Sequence, residues 1–82
     1  MSEKLVIGGI YKHYKGNLYK LHQIVKHSEN LENLVYYECL YHNPESQFWV
    51  RPEKMFFESV LINGTLVPRF QYVGDIKGKE RI

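Results

Sequence analysis

The dipeptide Asn63-Gly64, set between two short apolar β-type runs, constrains this chain more than any other local feature. Asparagine and glycine both accept the positive backbone angles of a tight type I′ turn, whose twist matches the strands it joins. The pattern predicts a hairpin that runs from Phe57 to Ile62, turns at Asn63-Gly64 and returns from Thr65 to Val67. One committed antiparallel pair makes antiparallel packing the natural arrangement for what precedes it.

The upstream residues read the same way. Gly9 to Tyr14 alternates Ile10 and Lys12 with Tyr11 and His13, and Lys15-Gly16-Asn17 reverses the chain. Leu18 to His27 is the longest strand pattern, with Tyr19, Leu21 and Val25 on one parity and Lys20, His22 and Lys26 on the other. Ile24 interrupts the polar parity, and a bulge or a buried edge near it would reconcile the pattern. Ser28 to Asn33 is a polar connection into Leu34 to Tyr41, where Val35, Tyr36 and Tyr37 mark the sheet centre. His42-Asn43-Pro44-Glu45-Ser46 is a turn before the short strand Phe48 to Arg51. Pro52 cannot continue a central ladder, but it suits the start of a single helical turn over 52–56, with Met55 or Phe56 covering an open end of the core. Arg69 to Val73 adds an edge strand after Pro68.

Eighty-two residues, 44% hydrophobic and 24% charged, support one core. Chains of this size bury only about 60 to 65% of the surface their unfolded forms expose, which leaves no room for a second. The expected fold is mainly β, a strongly bent antiparallel barrel over residues 9–73. Residues 1–8 read as a flexible N-terminal segment and 74–82 as a flexible charged tail with too few apolar residues to pack. Cys39 is the single cysteine, so an intrachain disulfide and a multi-cysteine zinc site are both excluded. Met1 to Lys4 is followed by no signal-type apolar region or small-residue cleavage site, and the longest strictly apolar runs span two or three residues. A cytoplasmic protein without a membrane span is therefore expected.

Little in the chain resembles catalytic machinery. His13, His22, His27 and His42 match no compact ligand spacing, so no metal is expected. Cys39 lies near His42, but its tyrosine and leucine neighbours describe a small packed side chain rather than an activated nucleophile. Gly8-Gly9 and Lys15-Gly16 lack the glycine spacing and following helix of a phosphate loop. No catalytic residue and no cofactor are assigned, and recognition on a shallow surface is the expected mode of action.

The segments Tyr11-Lys12-His13-Tyr14-Lys15-Gly16, Leu18-Tyr19, Val25-Lys26-His27-Ser28-Glu29, Leu34-Val35-Tyr36-Tyr37, Leu40-Tyr41, Trp49-Val50-Arg51-Pro52, Met55-Phe56 and Val67-Pro68-Arg69-Phe70 resemble the small bacterial DUF1653 family in this order. The resemblance covers most of residues 9–73 and implies a small SH3-like antiparallel barrel. It implies no chemistry, because the family carries no assigned function. Glu29-Asn30-Leu31-Glu32-Asn33 and the slightly long turn at Asn43-Pro44-Glu45-Ser46 depart from the common pattern, in turns where variation is tolerated.

Three binding modes follow. Trp49 and Arg51 stand two apart in one short strand, so pleating puts them on one face, and with Tyr37 and His27 they form the first candidate surface, for a protein, a peptide or a small polar ligand. The second is weak RNA or single-stranded nucleic-acid binding through Lys12, Lys15, Lys20 and Lys26, with Tyr14 stacking on a base. Its basis is the acid-free stretch from Lys4 to Ser28, although the net charge is only +2. The third is a structural role, in which the C-terminal edge strand pairs with another chain.

Overall fold

Asn63 and Gly64 both take positive φ, 49° and 81°, and the flanking strands pair Ile62 with Thr65, Leu61 with Leu66, Val60 with Val67 and Ser59 with Pro68. The computed structural model describes residues 5–75. In chain order its elements are β1 (Gly9–His13), β2 (Leu18–Lys26), β3 (Asn33–Cys39), β4 (Phe48–Pro52), the four-residue helix α1 (Glu53–Phe56), β5 (Ser59–Ile62), β6 (Thr65–Pro68) and β7 (Phe70–Asp75). Five strands form an antiparallel sheet in the order β4-β3-β2-β1-β7, and β5 and β6 form a separate two-stranded ribbon.

The expected closed barrel is not formed: β4 and β7 are opposite edges of the sheet and do not pair. Proline brings no amide hydrogen to a ladder, so at Pro52 the chain leaves β4 and enters α1 instead of continuing towards β7. Side chains span the gap. Phe56, fully buried, lies parallel to Phe70 with ring centroids 4.1 Å apart, and makes edge contacts with Tyr11 at 5.4 Å and Tyr37 at 5.5 Å. Tyr11, Leu21, Val35, Tyr37, Phe56 and Phe70 form the buried core, with Tyr19, Ile24, Trp49, Phe57 and Tyr72 packed around it.

Residues opposite one another in an antiparallel ladder share a face. Tyr11 faces Tyr19, which faces Cys39; Leu21 faces Tyr37, which faces Trp49; Val35 faces Arg51. This is the core side of the sheet. The irregularity of β2 is a bulge: the register slips between Leu21 and Gln23, leaving His22 without a partner in the ladder. Beyond it the parity inverts, and Ile24 lies opposite fully buried Val35. The residue that looked out of phase is therefore on the core side.

Ahead of β1, the Val6 amide donates to the Tyr11 hydroxyl (2.9 Å) and the Gly8 amide to the Leu21 carbonyl (2.7 Å), which ties residues 6–8 to the sheet. A β-carbon on Gly9 would lie 2.8 Å from a Tyr72 ring carbon and 3.0 Å from the Val6 carbonyl oxygen, so this crossing needs glycine. At the other end β7 reaches Asp75. The remainder of the two expected flexible segments, 1–4 and 76–82, lies outside the described residues. Among the described residues no helix is long and apolar enough to cross a membrane.

A β-carbon on Gly64 would meet nothing within 4 Å. Gly64→Ala therefore tests the backbone conformation alone. It should lower unfolding free energy by about 1 kcal/mol in urea titration, through the left-handed backbone it forces on alanine; unchanged stability would show that the turn does not depend on that conformation.

Candidate functional site

Trp49 and Arg51 project from the core side of β4, opposite Tyr37 and Val35 of β3. Because β4 is a sheet edge, their outer flank is not covered by another strand. There they line a cleft of ≈190 Å³ with Tyr19, Tyr37, Cys39, Tyr41 and Asn43. The turn before β4 builds one wall. The Asn43 side-chain oxygen accepts from the Glu45 amide at 3.0 Å, and its Nδ2 donates to Cys39 Sγ at 3.6 Å and to Tyr41 Oη at 3.5 Å. Tyr41 Oη in turn lies 3.1 Å from Tyr19 Oη. The Gln47 side-chain amide donates to the Cys39 carbonyl, and the Trp49 indole donates to the Ser46 carbonyl at 2.9 Å. The Ser46 hydroxyl donates to the Phe48 carbonyl at 2.8 Å and accepts from the Phe48 amide at 3.2 Å, which occupies both backbone groups of one edge residue.

Arg51 is the exception in this satisfied network. Its Nε is buried with no hydrogen-bond partner, and among the described residues it makes no ion pair. Neighbouring Glu53 accepts from the Asn33 side-chain amide at 3.1 Å, and Arg69, a second guanidinium, is paired with Glu58. What Arg51 has is a ring: its guanidinium carbon lies 5.7 Å from the Phe70 centroid, a cation–π distance. Burial, followed by the charges of Arg69, Arg51 and Lys15, holds the His13 pKa below its ordinary value of 6.5. Burial and the hydrogen bond with Tyr41 push the Tyr19 phenol upward, so at neutral pH it remains an O–H. Among the described residues, the lining includes no carboxylate.

Of the four residues expected at the first surface, the structure brings together Trp49, Arg51 and Tyr37, the last also a core residue. It does not bring His27 to them. Arg51 sits opposite Val35, whereas His27 does not line the cleft and follows the Lys26–Asn33 pair, in the turn that closes the β2–β3 hairpin. There its Nδ1 accepts from the Glu29 amide at 3.0 Å, its own amide donates to the Glu32 carbonyl at 2.8 Å and its carbonyl accepts from Leu31, all of which organise a turn.

The four lysines do not form one face. Lys12 and Lys20 lie on the outer side of the sheet, Lys20 opposite Glu38. The bulge at His22 puts Lys26 on the opposite parity, beside Glu32 and Glu53. Lys15 stands in the β1–β2 turn with its Nζ 5.8 Å from the Tyr14 ring centroid, and His13 stacks on the same ring at 4.6 Å. Tyr14 is thus already engaged by a cation and an imidazole.

Sequence reasoning missed Tyr19, Tyr41, Asn43 and Cys39 as cleft residues. The available signal was the Asn43-Pro44-Glu45-Ser46 turn, because an Asx-type turn immediately before an edge strand folds its side chains over that strand. Among the described residues, no three histidine, cysteine, aspartate or glutamate side chains gather as metal ligands.

An open antiparallel sheet, an aromatic plug and a cleft walled by tyrosines and tryptophan define a small β domain with a donor-rich pocket at one sheet edge. The chain belongs to the DUF1653 family, described as a protein of unknown function, whose profile matches residues 9–72. It is similar to the crystal structure of a DUF1653 protein from Bordetella bronchiseptica, with 31% identity and a TM-score of 0.79 over 85% of this chain and 90% of that one. No curated protein matches the chain.

Two measurements probe the electrostatics. The unfolded chain binds a proton at His13 more readily than the folded domain does, so the His13 contribution to stability is full above the unfolded pKa of 6.5 and is lost as pH falls below it. Urea midpoints should drop between about pH 7.5 and about pH 5.5, and His13→Gln should remove part of that drop. Arg51→Met should leave stability unchanged or raise it by up to about 1 kcal/mol, since an unpaired, partly buried charge is replaced by an apolar chain; a loss greater than that would assign the guanidinium to fold maintenance.

Proposed function

We propose that this domain is a non-enzymatic recognition module that binds a small polar ligand, or the end of a peptide, in the cleft between Trp49 and Arg51. The observation that carries this reading is the guanidinium of Arg51, held in an aromatic cleft without a counter-charge while the neighbouring polar groups are hydrogen-bonded. Burying a polar or charged group without a partner is destabilising, and a ligand that completes it would remove that cost. The aromatic walls add contact area with little rotamer entropy to lose.

A catalytic role has less support. Among the described residues, neither histidine nor carboxylate lines the cleft, and Cys39 Sγ meets Asn43 there rather than a base. Nucleic-acid binding through the lysines is likewise less favoured, because they are divided between two sides of the sheet and a turn. We also read the lone, buried thiol of Cys39 as suited to a reducing, cytoplasmic setting.

The test is backbone amide NMR of the folded domain against a set of neutral, cationic and anionic small molecules, alongside a labelled oligouridine. Ligands should shift the Trp49 indole and the signals of Tyr37 and Asn43. Trp49→Phe and Arg51→Met, both confirmed as folded, should weaken binding ~10-fold or more, corresponding to about 1.4 kcal/mol. If instead oligouridine binds with a steep salt dependence that both substitutions leave unchanged, the cleft is not the recognition site and the lysine reading replaces it.

A further inference from the structure

Resting on the cleft reading, we infer that the group recognised there is a carboxylate carried on a small apolar or aromatic body. The hydrogen-bonding capacity of the cleft is almost entirely of one kind. Arg51 can only donate. The Asn43 carbonyl oxygen is occupied by the Glu45 amide, and the Asn43 Nδ2 donates to Cys39 and Tyr41. Tyr19 and Tyr41 share one hydrogen bond between their hydroxyls, so whichever oxygen donates in that pair, the other keeps an O–H to offer. A site that offers donors and no carboxylate selects an anion.

The charge count narrows the anion. Among the described residues Arg51 is the one cation lining the cleft, and Arg69, the other guanidinium acting on His13, is already neutralised by Glu58. A monoanion is balanced by this arrangement, whereas a phosphate dianion would bring a second charge with no partner. A carboxylate also matches the planar fork of a guanidinium, with two oxygens for two parallel N–H donors. The remaining walls, Tyr19, Tyr37 and Trp49, present ring surface, and a volume of ≈190 Å³ suits a small acid or one terminal residue rather than an extended chain. Both sources have the same chemistry: a free small acid, or the C-terminal carboxylate of a peptide.

The experiment titrates the intact domain with benzoate, benzamide, benzylamine, phenyl phosphate, and a short acetylated peptide ending in phenylalanine as either the free acid or the amide. Trp49 indole NMR shifts and affinity are read in the wild type, Arg51→Lys and Arg51→Met. Benzoate, the free-acid peptide or both should bind at about millimolar strength, with affinity falling several-fold in Arg51→Lys and ~10-fold or more in Arg51→Met. The amides and benzylamine should leave the indole unmoved. Benzoate without the peptide acid would identify a free small acid as the source, and preference for the peptide acid would identify a chain terminus. Phenyl phosphate binding as tightly as benzoate would overturn the carboxylate assignment while leaving an anion cleft. Amide or amine binding that shifts Trp49 but is indifferent to Arg51 would overturn the inference while leaving recognition at the cleft. No Trp49 shift with any compound at about 10 mM would overturn both.

Discussion

Everything in this domain depends on one aromatic contact, the parallel stacking of Phe56 on Phe70. The sheet is open, and its two edge strands do not pair; the rings of Phe56 in a four-residue helix and of Phe70, the first residue of β7, close the distance that hydrogen bonds leave unspanned. A dry contact of this kind is sensitive to shape. Truncating a buried phenylalanine costs about 3–5 kcal/mol, against a total stability of about 5–15 kcal/mol for an ordinary domain. The core therefore rests on a few rings placed at angles to one another, Tyr11, Tyr37, Phe56 and Phe70, and much less on aliphatic bulk.

The same ring joins the core to the cleft. Phe70 carries Phe56 against it and has the Arg51 guanidinium over it, with the His13 ring edge-on at 4.9 Å. The charge offered to a ligand is thus held by a residue that the fold cannot easily move. That arrangement favours preorganisation: the aromatic platform positions the fork before any partner arrives, and binding needs little further ordering. It also helps a domain this small to maintain a polar cleft, since Tyr19 and Tyr41 share one hydrogen bond between their hydroxyls in the free state.

Features encoded within a few residues were legible in the sequence, and those encoded by long-range geometry were not. Asn63-Gly64 specified its own turn because only certain residues accept those backbone angles. Ile24 signalled a bulge because a single apolar residue on a polar parity has few explanations, although the bulge itself sits two residues earlier. Trp49 and Arg51 could be assigned a common face from pleating alone, and Tyr37 came with them because β3 pairs with β4. Closure of the barrel was not legible: whether two edge strands meet depends on the accumulated twist of all the strands between them, and no local pattern records it. His27 was misplaced for the same reason, since it belongs to a turn whose distance from Arg51 is set by register across two ladders. The lysines read as one group by sequence proximity, yet one extra residue in β2 turned Lys26 to the other side.

That extra residue has a consequence for how such a chain tolerates change over evolutionary time. Removing most residues from the middle of a strand turns everything beyond the deletion inside out, with apolar side chains exchanged for polar ones. His22 is different, because the ladder already passes it by. Its loss would leave Tyr19, Leu21 and Ile24 all facing inward and would straighten the strand, with the His22–Glu38 hydrogen bond forfeited. Length variation in the longest strand thus has one low-risk position, where descendants could differ by a residue in sequence and by a bend in shape while keeping the same interior.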